Sequence, residues 1–180
     1  MNQKDTLLVH IDALYRSALY LVKNESNADD LVQETYLKAF KFLQDDIEIN
    51  NAKAWLFKIL MNTFINQYRK NKIEPSLVDF DSIDSFHESI NEEVLRPPIT
   101  ENETEFDELL DADVKKALEE LPDDFRMVIL LSIVEGFSYK EISQTLECPI
   151  GTVMSRIYRG RKMLKEKLAG YAKKHGYKRD

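Results

Sequence analysis

The chain has 180 residues, of which 43% are hydrophobic and 32% charged, enough for one medium domain or two small ones. No apolar run approaches the roughly 18 residues of a membrane span, and the N-terminus lacks the apolar core of a secretory signal. We therefore expect a cytoplasmic protein with no membrane insertion. A single cysteine, Cys148, excludes an internal disulfide framework. The histidines His10, His87 and His175 are far apart, so we expect neither a metal site nor a cofactor.

The net charge of −7 is distributed very unevenly along the chain. Residues 1–73 carry net +1, residues 74–111 carry net −12 and residues 112–180 carry net +4. The acidity therefore lies almost wholly in the middle segment, and each segment must be interpreted separately. Only five Gly and five Pro are present. With long stretches of Leu, Lys, Glu and Ala, this scarcity of turn residues predicts an all-α protein.

The first 72 residues predict a small helical domain of two or three helices. Residues 5–23 form the first helix, with Ser26 or Asn27 capping the second. A polar loop over 44–51 precedes a third helix from about Ala52 to Lys70. The apolar stripe of the first helix consists of Leu7, Ile11, Leu14, Ala18 and Leu21, and that of the second of Val32, Tyr36, Ala39 or Phe40, and Leu43.

Residues 73–111 predict a flexible acidic linker. They contain three of the five prolines, many acids and isolated apolar residues without a period. A short helix near residues 101–111 is the alternative for part of this segment. The tether would join two small domains that can be rearranged easily.

Residues 112–180 predict a helix-turn-helix domain. Pro122 opens an apolar helix that Gly136 ends. Ser138 and Glu141 form a capping box at the start of a short helix. A tight turn over 147–151 then leads into a long basic helix that runs to about Leu168.

The long basic helix has the composition of a DNA-recognition helix. Between Arg156 and Arg179 there are ten Lys/Arg and one acid, Glu166. Such a helix can lie in the major groove, where its N-terminal half contacts base edges and its cations contact phosphates. A solvated basic face is the alternative. The predicted core face is Val153, Ile157, Gly160, Leu164 and Leu168, and the opposite face is Thr152, Ser155, Arg156, Arg159 and Lys162.

The third helix carries a second candidate nucleic-acid surface. Asn62, Asn66 and Arg69 are spaced to share one face, with Lys70 beside them and Trp55 two turns earlier. Amides and cations beside an aromatic ring suit unstacked single-stranded bases. Taken alone the pattern is weak, because surface Asn is usually solvated and Trp is usually core.

Four segments together resemble a known family. ADDLVQETYLKAF (28–40), NAKAWLFKILMNTFINQYRK (51–70), LPDDFRMVILLSIVEGFSYKEI (121–142) and PIGTVMSRIYRGRKML (149–164) are similar to the two conserved regions of extracytoplasmic-function (ECF) sigma factors of bacterial RNA polymerase. The second-domain motifs resemble most the branch that responds to thiol-oxidative stress. The resemblance implies a promoter-recognition subunit and not an enzyme.

The resemblance also implies partners. Residues 1–72 would be sigma region 2, and residues 112–180 would be sigma region 4. The linker would thread through core polymerase. A zinc-binding anti-sigma factor would wedge between the two domains and be released by stress. Independently of the resemblance, we expect Cys148 to be a small buried residue at the start of the recognition helix, with a redox-sensing role as the alternative.

Site residues follow from the resemblance in three groups. The clamp helices of the largest polymerase subunit would be bound by Asp30, Gln33 and Glu34. The minus-ten promoter element would be melted and recognised by Asn62, Asn66 and the loop 44–51, with Trp55, Arg69 and Lys70 on the same surface. The minus-thirty-five element would be contacted by Thr152, Ser155, Arg156, Tyr158, Arg159 and Lys162.

Two departures from the family pattern and two rival functions remain. Met154 replaces an Arg that many relatives have, and Glu147 occupies a turn where Gly is common, at a cost of roughly 1–2 kcal/mol if it is left-handed. An operator-binding regulator that acts without polymerase is the main rival, although no dimerisation helix is evident. An enzyme is disfavoured because no phosphate loop, metal cluster or nucleophile–base set appears.

Overall fold

The computed structural model describes residues 3–43, 49–69, 112–174 and 176, and within these ranges it contains helices and turns but no β-strand. The predicted linker 73–111, its alternative helix near 101–111 and most of the loop 44–51 lie outside the described residues. No helix in the described ranges is long and apolar enough to cross a membrane.

The first domain contains four α-helices: α1 (Gln3–Leu8), α2 (Ile11–Val22), α3 (Glu25–Phe42) and α4 (Ala52–Phe64). The single helix expected over 5–23 is broken, because the chain turns at residues 9–10, where His10 N donates to Leu7 O at 3.2 Å. Ile11, expected in the core stripe, is 44% exposed beside this turn. The other four members of that stripe are buried.

The caps of α3 and α4 are asparagines that lie just before each helix. Asn24 Oδ1 accepts from Asn27 N at 3.0 Å, and Asn51 Oδ1 accepts from Ala54 N at 3.0 Å. Each side chain satisfies one of the free amides of a first helical turn. The expectation that Ser26 or Asn27 caps α3 was therefore wrong by two or three positions.

Beyond Phe64, α4 continues as a π-helical turn over Ile65–Arg69. A π-helical turn holds more residues than an α-helical turn. The α-helical spacing on which the shared face of Asn62, Asn66 and Arg69 was predicted therefore does not hold across the whole segment.

The second domain is described from α5 (Ala112–Glu119) onward. It continues with α6 (Asp123–Ile129) and a π-helical segment (Leu130–Val134), followed by α7 (Tyr139–Leu146), α8 (Ile150–Lys167) and α9 (Ala169–Lys174). Pro122 occupies the N-cap position of α6, and Gly136 with a φ of 71° follows the end of the π-helical segment. A positive φ is a conformation that glycine adopts at little cost.

One continuous hydrophobic core extends through both domains. Within the first domain α2, α3 and α4 pack together, and within the second domain α8 packs on α6 and α7. In addition α4 packs on α7, and α2 packs on α5 and α6. The two domains expected on a loose tether therefore form a closed pair in this structure.

Candidate nucleic-acid interface

The helix-turn-helix is built by local hydrogen bonds, of which the capping box was predicted from the sequence. Ser138 Oγ accepts from Glu141 N at 3.3 Å, and Ser138 N donates to Glu141 Oε2 at 2.8 Å, which completes the capping box of α7. At the other end Glu147 is left-handed, with a φ of 51°. The Ser143 hydroxyl donates to Cys148 O at 2.7 Å and fixes the turn. These bonds set the direction in which α8 leaves the turn.

Close packing holds α8 on the rest of the second domain. Val153, Ile157 and Gly160 are buried, as predicted, whereas Leu164 and Leu168 are only half-buried. A Cβ on Gly160 would lie 2.9 Å from Ile129 Cγ1, so a larger residue would push α8 away from α6. Glycine at this position brings the two helices into contact and orients the opposite face of α8 outward.

The outward face of α8 carries most of the predicted base-contacting residues. Tyr158 is 56% exposed and Lys162 is exposed, whereas Thr152, Ser155 and Arg159 are half-buried. Ser155 Oγ donates to Thr152 O at 3.0 Å, so this hydroxyl keeps its lone pairs available to a donor. Arg156 differs from the others, since its Nη2 lies 3.3 Å from Oδ2 of the buried Asp124.

Cys148 lies in the turn before α8 and is half-buried. Burial raises the pKa of its thiol, and the Arg156 guanidinium opposes that rise more weakly. A raised pKa lowers the fraction of reactive thiolate at neutral pH.

The predicted minus-ten surface is only partly assembled on α4. Trp55 is half-buried and packs edge-to-face on Phe42, with ring centroids 6.4 Å apart. Asn62 is half-buried and Asn66 exposed. The side chain of Arg69 and all of Lys70 lie outside the described part of the chain.

The predicted polymerase-binding residues lie on the outer face of α3. Asp30 and Gln33 are exposed. Glu34 is half-buried, pairs with Lys38 Nζ at 2.7 Å and accepts a hydrogen bond from the Gln67 amide. Leu37, one turn farther along the same face, is 71% exposed, so this face combines acids with an apolar side chain.

The contact between the domains is centred on residues that the sequence interpretation missed. The fully buried carboxylate of Glu135 accepts from Ser17 Oγ at 2.8 Å and lies near Arg16 and Lys53. The rings of Phe57 and Phe137 meet edge-to-face at 5.3 Å.

A second polar contact joins the domains at Arg126. Its guanidinium donates to Leu21 O at 3.1 Å, at the end of α2, and to Leu121 O at 2.7 Å within its own domain. Burial lowers the pKa of Arg126, an effect that the neighbouring Asp123 opposes.

One signal in the sequence pointed to this contact. Apolar residues lie around most of the circumference of α2: Ala13, Leu14, Tyr15, Ala18, Leu19 and Tyr20. A helix buried on more than one face must pack on more than one neighbour. Within the first domain α3 and α4 cover part of α2, and α5 and α6 of the second domain cover a further face.

Among the described residues no three His, Cys, Asp or Glu side chains are grouped closely enough to hold a metal ion.

Family comparisons match both halves of the chain in order. Residues 8–73 match the model of Sigma-70 region 2, and residues 111–164 match that of Sigma-70 region 4. These two matches correspond to the two helical domains of the structure.

Individual relatives extend the likeness across the linker. The chain is 35% identical to the ECF RNA polymerase sigma factor SigE of Mycolicibacterium smegmatis over 91% of its own length, and it spans 60% of that protein. It is 34% identical to the ECF RNA polymerase sigma factor EcfG of Rhodopseudomonas palustris, over 89% of this chain and 82% of the relative.

Solved structures show the same fold. The sigma factor RpoE of Bartonella quintana, in complex with the anti-sigma factor NepR, is 39% identical with a TM-score of 0.66, over 92% of this chain and 96% of that one. CnrH in complex with the cytosolic domain of CnrY is 26% identical with a TM-score of 0.62, over 94% and 90% of the two chains. The chain therefore belongs to the ECF sigma factors, the initiation subunits, not enzymes, that direct bacterial RNA polymerase to promoters.

Proposed function

We propose that this sigma factor binds the clamp helices of the largest polymerase subunit through the outer face of α3. Asp30 and Gln33 are exposed there, and Leu37 adds an apolar contact. Acids on one helical face can pair with basic residues on a partner's helices, while an exposed apolar residue loses water on binding. Glu34 is a weaker candidate for this contact with polymerase, because its carboxylate already pairs with Lys38.

In the same proposal α8 recognises the minus-thirty-five element. Tyr158 and Lys162 are its most exposed predicted contacts, and Thr152, Ser155 and Arg159 flank them. Hydroxyl and guanidinium groups suit base edges in the major groove, and lysine suits phosphates. Arg156 must leave Asp124 in order to contact DNA.

The minus-ten element would be melted and recognised by the first domain. Asn62 and Asn66 offer amides to unpaired bases, with Trp55 as the aromatic neighbour. Arg69, Lys70 and the loop 44–51 would complete this surface. In this scheme region 2 comprises residues 1–72, the linker 73–111 and region 4 residues 112–180.

We also propose that a partner protein binds this sigma factor and holds it inactive. Both solved relatives described above are complexes, one of them named as an anti-sigma complex. The alignment with the NepR-bound relative covers 92% of this chain at a TM-score of 0.66, which supports a similar arrangement of the two domains in that complex. This favours an anti-sigma factor that binds the closed pair over one that wedges between the domains.

We further propose that the anti-sigma factor binds zinc, that the inducing signal is thiol-oxidative stress, and that the sigma factor acts in the cytoplasm. The resemblance of the second-domain motifs supports the branch.

The observation that carries the proposal is the pairing of an exposed acidic α3 face with an exposed polar α8 face in one two-domain chain. The test is run-off transcription with purified core polymerase on promoter fragments selected by the holoenzyme. We expect transcription only when chain and core are both present. Specific DNA binding by dimers of the chain without core, and no association with core in a pull-down, would instead identify an operator-binding regulator.

A further inference from the structure

Glu135 connects the domains through a pocket that the first domain forms alone. Its carboxylate belongs to the second domain, just beyond the π-helical segment that follows α6, and is fully buried. The surrounding donors come from α2 and α4: Ser17 Oγ at 2.8 Å and Arg16 Nη2 at 3.5 Å from Oε1, and Lys53 Nζ at 3.2 Å from Oε2. Lys53 Nζ also donates to Glu135 O at 3.3 Å.

The three donors, called the anion pocket below, suit a negatively charged guest. Two cations and a hydroxyl converge on one point, and Lys53 lies in the first turn of α4, where the helix dipole adds positive potential. Burying two cations together is unfavourable unless an anion lies between them. Glu135 supplies that anion from the other domain.

We infer that Arg16, Ser17 and Lys53 form an anion pocket on region 2, which Glu135 of region 4 occupies as an internal ligand, and that this contact latches the chain in a closed state unable to span a promoter.

In the closed state the chain cannot bind the minus-ten and minus-thirty-five elements at the same time, a conclusion that rests on the proposed function. The minus-ten and minus-thirty-five elements are separated by about 25 base pairs, or roughly 85 Å of duplex. The 18 residues of α8 span only about 27 Å. Because α4 packs directly on α7, the helix that precedes α8, the predicted contacts of the two domains cannot reach both elements.

Arg126 Nη2, which donates to Leu21 O at 3.1 Å, is a second fixed polar contact between the domains, whereas the other contacts are less specific for one docking arrangement. Phe57 and Phe137 contribute apolar burial, which tolerates sliding. Lys58 Nζ pairs with Glu147 Oε1 at 2.8 Å at the edge of the contact, but both side chains are largely exposed to water. A buried carboxylate with donors at fixed positions is satisfied in one docking arrangement only.

Glu135→Gln tests the latch because it keeps the shape of the side chain and removes its charge. Two dyes are attached at Lys41→Cys on α3 and Lys165→Cys on α8, both exposed positions, in a Cys148→Ser background. We expect the energy-transfer efficiency to fall in the Glu135→Gln chain while the helical circular dichroism is retained. The open-to-closed ratio should rise by on the order of a hundredfold, as expected when two buried cations lose their anion.

Glu147→Gln is the matched control, since it neutralises the exposed member of an interdomain ion pair. We expect it to leave the transfer efficiency within error of the parent chain. Lys53→Met is the second variant and acts from the other domain. This variant should lower the energy-transfer efficiency as Glu135→Gln does, and it tests the latch if the Glu135→Gln chain fails to fold.

Unchanged efficiency in a folded Glu135→Gln chain, or equal opening by Glu147→Gln, would overturn the latch. Because neither measurement involves DNA or polymerase, the latch can fail while the proposed promoter contacts stand. Conversely, if transcription assays excluded the proposed promoter contacts, the dye measurements would still test the latch.

Discussion

Arg156 Nη2 lies 3.3 Å from Oδ2 of Asp124, so one cation of the recognition helix is paired inside its own domain. Asp124 is buried, and Arg156 is about four-fifths buried as a side chain. Lys162, farther along α8, is assigned to the same promoter surface but has an exposed side chain. The two cations should therefore respond differently to truncation.

Arg156→Ala should destabilise the second domain as well as weaken DNA binding. Truncation leaves the buried Asp124 carboxylate without this cation, at a cost of about 1–3 kcal/mol of unfolding free energy. Urea unfolding of the purified variant measures the change. Lys162→Ala is the control, because this side chain is exposed, and we expect its stability to lie within about 0.5 kcal/mol of the parent. Equal losses in the two variants would show that the pair with Asp124 contributes no stability.

Arg159→Ala should weaken binding to minus-thirty-five DNA by about 1–3 kcal/mol, the range for a lost base or phosphate contact. Binding to core polymerase should be unchanged, because α8 and α3 lie in different domains. Fluorescence anisotropy with a labelled promoter fragment gives the first quantity and a pull-down gives the second. Lys174→Ala removes an exposed cation from α9 and should cost less. Normal transcription by the Arg159→Ala holoenzyme would refute the assignment.

Asn62→Ala should impair promoter melting more than initial binding, because its amide is proposed to contact a base only after the strands separate. Permanganate reactivity of thymines in the bubble reports melting. Asn27→Ala provides a matched control, since it removes an exposed asparagine side chain from α3. A bubble of normal reactivity in the Asn62→Ala holoenzyme would exclude this role.

Much of the fold follows from local sequence signals. The capping box at Ser138 and Glu141 and the buried row Val153, Ile157 and Gly160 were predicted correctly, because each depends on residues within a turn or two of one another. The break at His10 and the cap at Asn24 were missed. At each of these helix ends several neighbouring polar residues could occupy the cap position, and helix propensity alone does not select among them.

The closed pairing of the domains is the larger omission, and its cause is different. Glu135 follows Arg16 by 119 positions, and no local pattern in either segment indicates that the two residues are in contact. An acid at the end of an apolar run resembles an ordinary solvated helix end. Only the apolar residues on more than one side of α2 pointed to a missing neighbour.

Asp30→Lys should abolish binding to core polymerase while the chain still binds minus-thirty-five DNA. Asp30 is the cleaner choice for charge reversal, because Glu34 pairs with Lys38 and reversing it would also disturb the first domain. Opposite charges across an interface attract, and like charges there cost several kcal/mol, on the order of a thousandfold in affinity. Asp12→Lys reverses an exposed acid on α2 and should leave assembly intact. Retained holoenzyme in the Asp30→Lys pull-down would contradict the proposed face.

The last prediction concerns where an oxidative signal would act. Burial raises the pKa of Cys148, so at neutral pH a smaller fraction of this thiol is ionised than in an ordinary cysteine, and the thiolate is the reactive form. Iodoacetamide should therefore modify Cys148 more slowly in the folded chain than in urea at the same pH. Metal-site cysteines of a zinc-binding anti-sigma factor would react first, because they are already held as thiolates. We expect a one-to-one inhibitory complex, isolated from the native cell, whose release by peroxide survives Cys148→Ser. Loss of peroxide sensitivity in that variant would place the sensor in this chain, and a partner without zinc would remove the thiol-stress branch while leaving the sigma factor family intact.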